Sequence, residues 1–145
     1  MTELKTFQPG DYDVPADYTH WEGDSAEDYI GPFFFRMEGV NPRTAFRVRA
    51  EHCNAHNSVH GGVLMSFADY TLCLGANGGE SESVATVSQN NEFIAPAFKG
   101  DLILGECEVI RRGGSMVFCR CTLRAGDKVV LVASAVIKRL RKQPD

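Results

Sequence analysis

The chain carries one carboxylate in a setting that a structural role does not readily explain. Asp69 lies within VLMSFADYTLCLGA (63–76), where its neighbours three and four positions away are Met65, Ser66, Leu72 and Cys73. On a helix that face is mostly apolar. A carboxylate placed there is desolvated, at a cost of several kcal/mol in typical cases unless it is partnered or functional. Desolvation is expected to raise its pKa and so to suit it to general-base work. The alternative is a surface aspartate, or one satisfied by Ser66 or Thr71. Immediately before the same segment stands His60-Gly61-Gly62. Two glycines let a ligand approach the backbone, and the free N–H groups at a helix start form a ready oxyanion site. A turn that needs only glycine's φ freedom would read the same way.

Other reactive side chains are less well placed. His52, His56 and His60 recur every four residues, a metal-binding spacing on a helix. The intervening Asn54, Asn57, Ser58 and double glycine argue for a loop, so no metal site is expected. Cys53 and Cys73 have no base beside them in the sequence and read as inert thiols. Arg111-Arg112, ahead of the Gly113-Gly114-Ser115 turn, could hold a phosphate or simply end a solvated hairpin.

These residues need a scaffold. Val63–Ala76 is apolar nearly all round and reads as a buried helix, stopped by Asn77-Gly78-Gly79. Before it, Phe33-Phe34-Phe35 opens a short strand. Gly39 to Pro42 reads as a turn, and 44–51 as a half-buried strand in which Phe46, Val48 and Ala50 alternate with Arg47 and Arg49. After it come four strands: 84–94, 102–111, 116–124 and 129–137, the last apolar on both faces. Two strands, one long helix and four antiparallel strands make an α+β domain whose sheet must wrap the helix. Residues 1–28 read as a loose N-terminal arm with a short helix near Ser25–Tyr29 packing through Trp21 and Tyr29. Residues 29–140 form the domain, and 141–145 a charged tail.

The 145-residue length fits one domain, and a net charge of −4 gives no general attraction to nucleic acid or an anionic membrane. No apolar run is long enough to span a bilayer, and the start does not read as a signal peptide. Five cysteines without a CxxC pair imply reduced, mostly buried thiols in a cytoplasmic setting. Cys119 and Cys121 are expected on one face of a strand.

Taken together, His52-Cys53-Asn54, His60-Gly61-Gly62 and Asp69 resemble the PaaI-like branch of the hotdog acyl-CoA thioesterases. The resemblance continues through Ala85-Thr86-Val87-Ser88-Gln89-Asn90, Phe93-Ile94-Ala95-Pro96-Ala97 and Gly100-Asp101, and covers roughly residues 30–139. It implies a sheet of five or six antiparallel strands curled round one long helix, a homodimer or homotetramer, and sites at the subunit interface. It implies that Asp69 activates water or attacks the thioester, and that the Gly61 N–H polarises the thioester carbonyl. Asn54 would come from a partner subunit to orient the water, Thr86 would assist the carboxylate, and His60 would shape the carbonyl pocket. Val59, Gly62, Phe67, Asn90 and Phe93 become candidate substrate-binding residues, with Arg111 and Arg112 for the phosphates. Acyl-CoA is the implied substrate, the acyl group being medium-chain or aromatic, and no metal or redox cofactor is required. Where the family often has glycine, this chain has Asn57, which also tolerates the left-handed conformation. A hotdog hydratase or dehydratase would need His60 paired with Asp69, and a non-catalytic acyl-CoA-binding module would have no use for the carboxylate.

Overall fold

The computed structural model describes residues 4–140; the expected charged tail, 141–145, lies outside them. The chain runs β1 (Thr19–His20), α1 (Ser25–Ile30), β2 (Phe34–Glu38), β3 (Asn41–Arg47), α2 (Gly61–Asn77), β4 (Val84–Phe93), β5 (Leu102–Arg112), β6 (Met116–Ala125) and β7 (Lys128–Arg139). All strand pairs are antiparallel, in the order β1-β2-β3-β5-β6-β7-β4, a seven-stranded sheet. This is the hotdog arrangement. The strand beyond the expected five or six is β1, which the arm contributes by pairing with β2. The stretch read as a turn from Gly39 to Pro42 is tighter, because β3 already begins at Asn41. Its C-terminal end is shorter than expected, since residues 50–52 form a 3₁₀ turn.

Helix α2 lies on the concave face. Leu64, Phe67, Ala68, Thr71, Leu72 and Gly75 turn towards buried residues that alternate along β5, β6 and β7: Ile103 and Cys107, Val117 to Leu123, Leu131 to Ile137. Cys119 and Cys121 do share the inner face, as their spacing requires. Two glycines set the closeness of approach. A Cβ on Gly75 would collide with Cys107 Sγ, and one on Gly105 with Thr44 Oγ1. The Thr44 hydroxyl instead meets that of Thr71 at 2.8 Å, so neither is left unsatisfied in the core. On the outer face Val132 and Val136 of β7 are half-buried beside exposed Phe118 and Ile110, so β7 is covered fully on one side only within the chain.

Within the described residues the arm is folded rather than loose. Val14 and Tyr18 are buried with Phe34 and Ala45, and Trp21 packs against the main core beside Phe35. Tyr29, expected to pack, is 91% exposed, because α1 presents Glu27 and Ile30 to the domain instead. Asp24 caps α1 by accepting the Glu27 N–H at 3.0 Å. His52 anchors the helix's other end. Its Nδ1 accepts the Arg49 N–H, so Nε2 holds the proton and donates to the carbonyls of Ile30 and Gly31 at 3.0 and 3.1 Å. No helix among the described residues is long and apolar enough to cross a membrane.

Candidate active site

The start of α2 is built by its own cap. His60 is extended (φ −60°, ψ 134°), and its Nδ1 accepts the Gly62 N–H at 2.9 Å. The next orphan donor is the Gly61 N–H, which finds no acceptor among the described residues. The Phe93 ring stands over it: a Cβ on Gly61 would lie 3.1 Å from that ring. Gly61, His60 and Phe93 are therefore brought together. Asn54 folds its own loop, its Oδ1 accepting from His56 N–H, Ser58 N–H and the Ser58 hydroxyl. Asn57 takes the left-handed conformation (φ 63°) that the loop needs. The histidines do not form one face. His52 is buried with both ring nitrogens spent on backbone; burial holds its pKa below the ordinary value, against the bonds to the Gly31 and Ile30 carbonyls, which act to raise it.

Asp69 projects from the middle of α2. Thr86 Oγ1 donates to its Oδ1 at 2.6 Å, and the Cys73 thiol lies one turn on, 3.8 Å from the same oxygen. Burial, and then the charge on Asp69, push the Cys73 thiol up to about 12, so it is no thiolate nucleophile at neutral pH. The surroundings of Asp69 are less apolar than its helical neighbours suggest. The carboxylate is half-buried, and α1 sets Asp24 and Glu27 beside it. Two cavities meet there. One, of about 470 Å³, runs along α2 past Gly62, Met65 and Ser66 to Asp69, walled by Gln89 and Asn91. The other, of about 500 Å³, continues past Tyr70, Cys73 and Asn77 beneath Trp21.

Several expected binding residues lie elsewhere. Phe67 is completely buried among Phe33, Phe46 and Tyr70, and is core rather than pocket lining. Val59 is also a core residue, 6% exposed. Arg112 closes the far end of α2, its guanidinium donating to the carbonyls of Ala76 and Gly75, while Arg111 is exposed at the end of β5. Asn90 faces away from Asp69, with Ser88 and Glu92 on the outer side of the sheet. The cause is a bulge between Thr86 and Ser88. It reverses the parity of the strand, so Thr86 faces inward before it and Gln89 and Asn91 after it. Sequence reasoning missed Gln89, Asn91 and Glu27. Gln89 joins the site by donating to the Met65 carbonyl at 3.1 Å and to Asn91 Oδ1 at 2.8 Å.

A carboxylate facing a cavity can activate water or add to a carbonyl carbon, and a free helix-start N–H can hold the oxyanion that results. Comparison with known proteins points the same way. Residues 56–132 match the thioesterase superfamily. A Pseudomonas aeruginosa protein named as an esterase is 30% identical over 112 residues, 75% of this chain and 84% of its own. The acyl-coenzyme A thioesterase PaaI of Escherichia coli is 28% identical over 95 residues, 64% of this chain and 66% of its own. The PaaI structure superposes with a TM-score of 0.75 at 20% identity, covering 83% of this chain and 88% of that one. A hypothetical thioesterase protein of Streptococcus pneumoniae, solved with coenzyme A, superposes with a TM-score of 0.70 at 13% identity, covering 77% and 88%.

Proposed function

The chain belongs to the thioesterase superfamily, a thioester hydrolase, and from that premise we propose that it hydrolyses acyl-CoA to free acid and CoA, with Asp69 as base or nucleophile and the Gly61 N–H as oxyanion donor. The observation that carries this reading is the pairing of a hydrogen-bonded carboxylate in a cavity with an unpaired N–H at the start of the same helix. Thr86 holds Asp69 in place, and the Phe93 ring stands beside Gly61.

The spacing of these groups bears on assembly. Gly61 and Asp69 are eight residues apart on one helix, a rise of about 12 Å. One thioester carbonyl cannot lie within roughly 3 Å of both. The working site therefore combines Gly61 of one copy with Asp69 of a second. Strand β4 supports such a pairing: it is a ten-residue edge strand with Val87 exposed and exposed Phe93 and Ile94 at its end. Joined antiparallel edge to edge, two copies lay their helices in opposite directions, and the start of one approaches the middle of the other. Asn54, in the loop before Gly61, then reaches the other copy's Asp69. A dimer is the least assembly this requires.

The acyl group enters beneath Trp21, past Tyr70 and Leu74, where an aromatic or medium-length chain has room. The reading as a hydratase has less support, because His60 Nδ1 is spent on the helix cap, where it accepts the Gly62 N–H.

The test is thiol release from a panel of short, medium, long and aromatic acyl-CoAs, wild type beside Asp69→Asn. Turnover by the wild type that falls at least a hundredfold in the variant is expected. Equal turnover by both would remove Asp69 from the mechanism, and acyl-CoA binding without any turnover would make the chain a binding module.

A further inference from the structure

Helix α1 does more than cover the domain. Asp24, Glu27 and Asp69 are the residues that line both cavities, so three acidic residues stand where the two meet. The helix is fixed at each end. Asp24 caps its start, Asp28 pairs with His20 at 2.6 Å, and His52 and Arg49 hold the carbonyls of Ile30 and Gly31. Glu27 is thus presented to Asp69 by a braced element.

The charged and titratable groups facing Glu27 are nearly all acidic. Asp24 and Asp28 lie on its own segment, and Asp69, Tyr70 and Cys73 on α2. Glu82, in the loop before β4, lines the same cavity and is paired with Arg139. His20 is engaged with Asp28, and His52 binds backbone. No cation is aimed at the Glu27 carboxyl among the described residues. Of these carboxyls, Asp69 is the one that receives the Thr86 hydroxyl. Burial foremost, then the charge of Asp24 and a hydrogen bond with its side chain, and then Asp69 and Asp28, raise the Glu27 carboxyl to about 8. A further polar group waits in the same wall: the Tyr70 hydroxyl is buried and has no partner among the described residues.

We propose that Glu27 is a second catalytic residue, a neutral carboxylic acid that α1 holds in the Asp69 site to protonate the departing thiolate. The proposal rests on the reading of Asp69 given above. In the general-base form, Asp69 takes a proton from water as the water oxygen bonds to the carbonyl carbon, and the oxyanion rests on a Gly61 N–H. When the C–S bond breaks, its electron pair leaves on sulfur and the Glu27 proton moves to that sulfur, giving a neutral thiol. Glu27 is now the carboxylate and Asp69 the acid. The proton on Asp69 passes to Glu27 and restores the resting state, and the new carboxylic acid releases its own proton to solvent. An alkyl thiol, ordinarily near 8.5, is matched to a donor near 8.

The test varies the leaving group. Glu27→Gln keeps the shape and a hydrogen-bond donor but has no proton to give. For acyl-CoA, kcat is expected to fall about tenfold to a hundredfold. For the same acyl group on an arenethiol, whose thiolate leaves without protonation, the fall is expected to be several times smaller. The wild-type kcat should also decline as pH rises through about 8, and that limb should vanish in the variant. Equal losses with both leaving groups, unchanged acyl-CoA turnover, or an unaltered alkaline limb would each overturn the proposal. Asp69→Asn measured alongside separates the two ideas. If it is inactive on both thioesters while Glu27→Gln behaves as wild type, only the role of Glu27 fails; if Asp69→Asn is active, the parent reading fails.

Discussion

Thr86 Oγ1 donates to Asp69 Oδ1 at 2.6 Å, tying the edge strand β4 to the middle of helix α2. The bond engages one carboxylate oxygen, while the second makes no hydrogen bond among the described residues. A hydrogen bond to a charged group is worth about 1.5–3 kcal/mol, which corresponds to roughly ten- to hundredfold in rate if it is lost in the transition state. Thr86→Val, which removes the hydroxyl at constant shape, should lower kcat by about that factor with little change in KM. Thr86→Ser should restore most of it. Steady-state kinetics of the two variants check this, and an unimpaired Thr86→Val would leave the hydroxyl with no part in turnover.

The Glu27 carboxyl has a consequence for stability as well. Its folded-state value of about 8 lies above the 4.5 of an ordinary glutamate, so between these pH values the folded chain holds a proton that the unfolded chain has released. The stability it contributes is therefore full below about 4.5 and declines as pH rises towards 8. Glu27→Gln escapes that decline. Its melting temperature should exceed the wild type's by a few degrees at pH 8–9 and the gap should close near pH 4–5, as thermal unfolding at a series of pH values would show. A gap independent of pH would mean that Glu27 ionises normally.

Arg112 tests whether a basic pair in the sequence serves ligand or fold. Its guanidinium donates to the carbonyls of Ala76 and Gly75, the orphan acceptors at the end of α2. Arg112→Met should cost about 1–2 kcal/mol of stability by chemical denaturation and leave the KM for acyl-CoA unchanged. A raised KM with unaltered stability would return this residue to the phosphate-binding role that its charge suggests.

How far the sequence reached differs from element to element. The wrapped helix was legible because α2 is apolar round most of its circumference, and Asp69 interrupts that pattern. The glycine turn was legible because His60, a capping side chain, precedes two glycines at a helix start. Asn90 is turned outward by one extra residue. Simple alternation from Thr86 puts Asn90 on the inner side, and only the bulge between Thr86 and Ser88, invisible without the β7 register, puts Gln89 and Asn91 there instead. Phe67 lies in the core, and a helix apolar on every side does not disclose in sequence which side meets the cavity. Glu27 was beyond reach altogether. Nothing local marks it; its setting is made by His52 and Arg49 binding the end of α1 from about twenty residues away.

Gly61 allows the oxyanion donor and the shared site to be tested together. Proline is well suited to the first position of a helix, where its missing N–H is not needed for the helix itself. His60 before it is already extended at ψ 134°, as a residue preceding proline should be. Gly61→Pro thus deletes the one N–H that would hold the oxyanion while α2 can still form, and kcat should fall by about 10²–10³. Gly61→Ala keeps the N–H but sets a Cβ about 3.1 Å from the Phe93 ring, so it reports the cost of crowding alone. Similar kcat values in the two variants would deny the N–H its role. If Gly61 of one copy works with Asp69 of the other, two inactive chains can repair each other. Refolding Gly61→Pro together with Asp69→Asn in equal amounts makes half the dimers mixed, and each mixed dimer has one site with both groups intact. Activity should recover to about a quarter of the wild-type value. No recovery, with mixed dimers demonstrated by mass, would mean that each chain carries its own complete site, which the 12 Å or so of helix between the two residues does not permit.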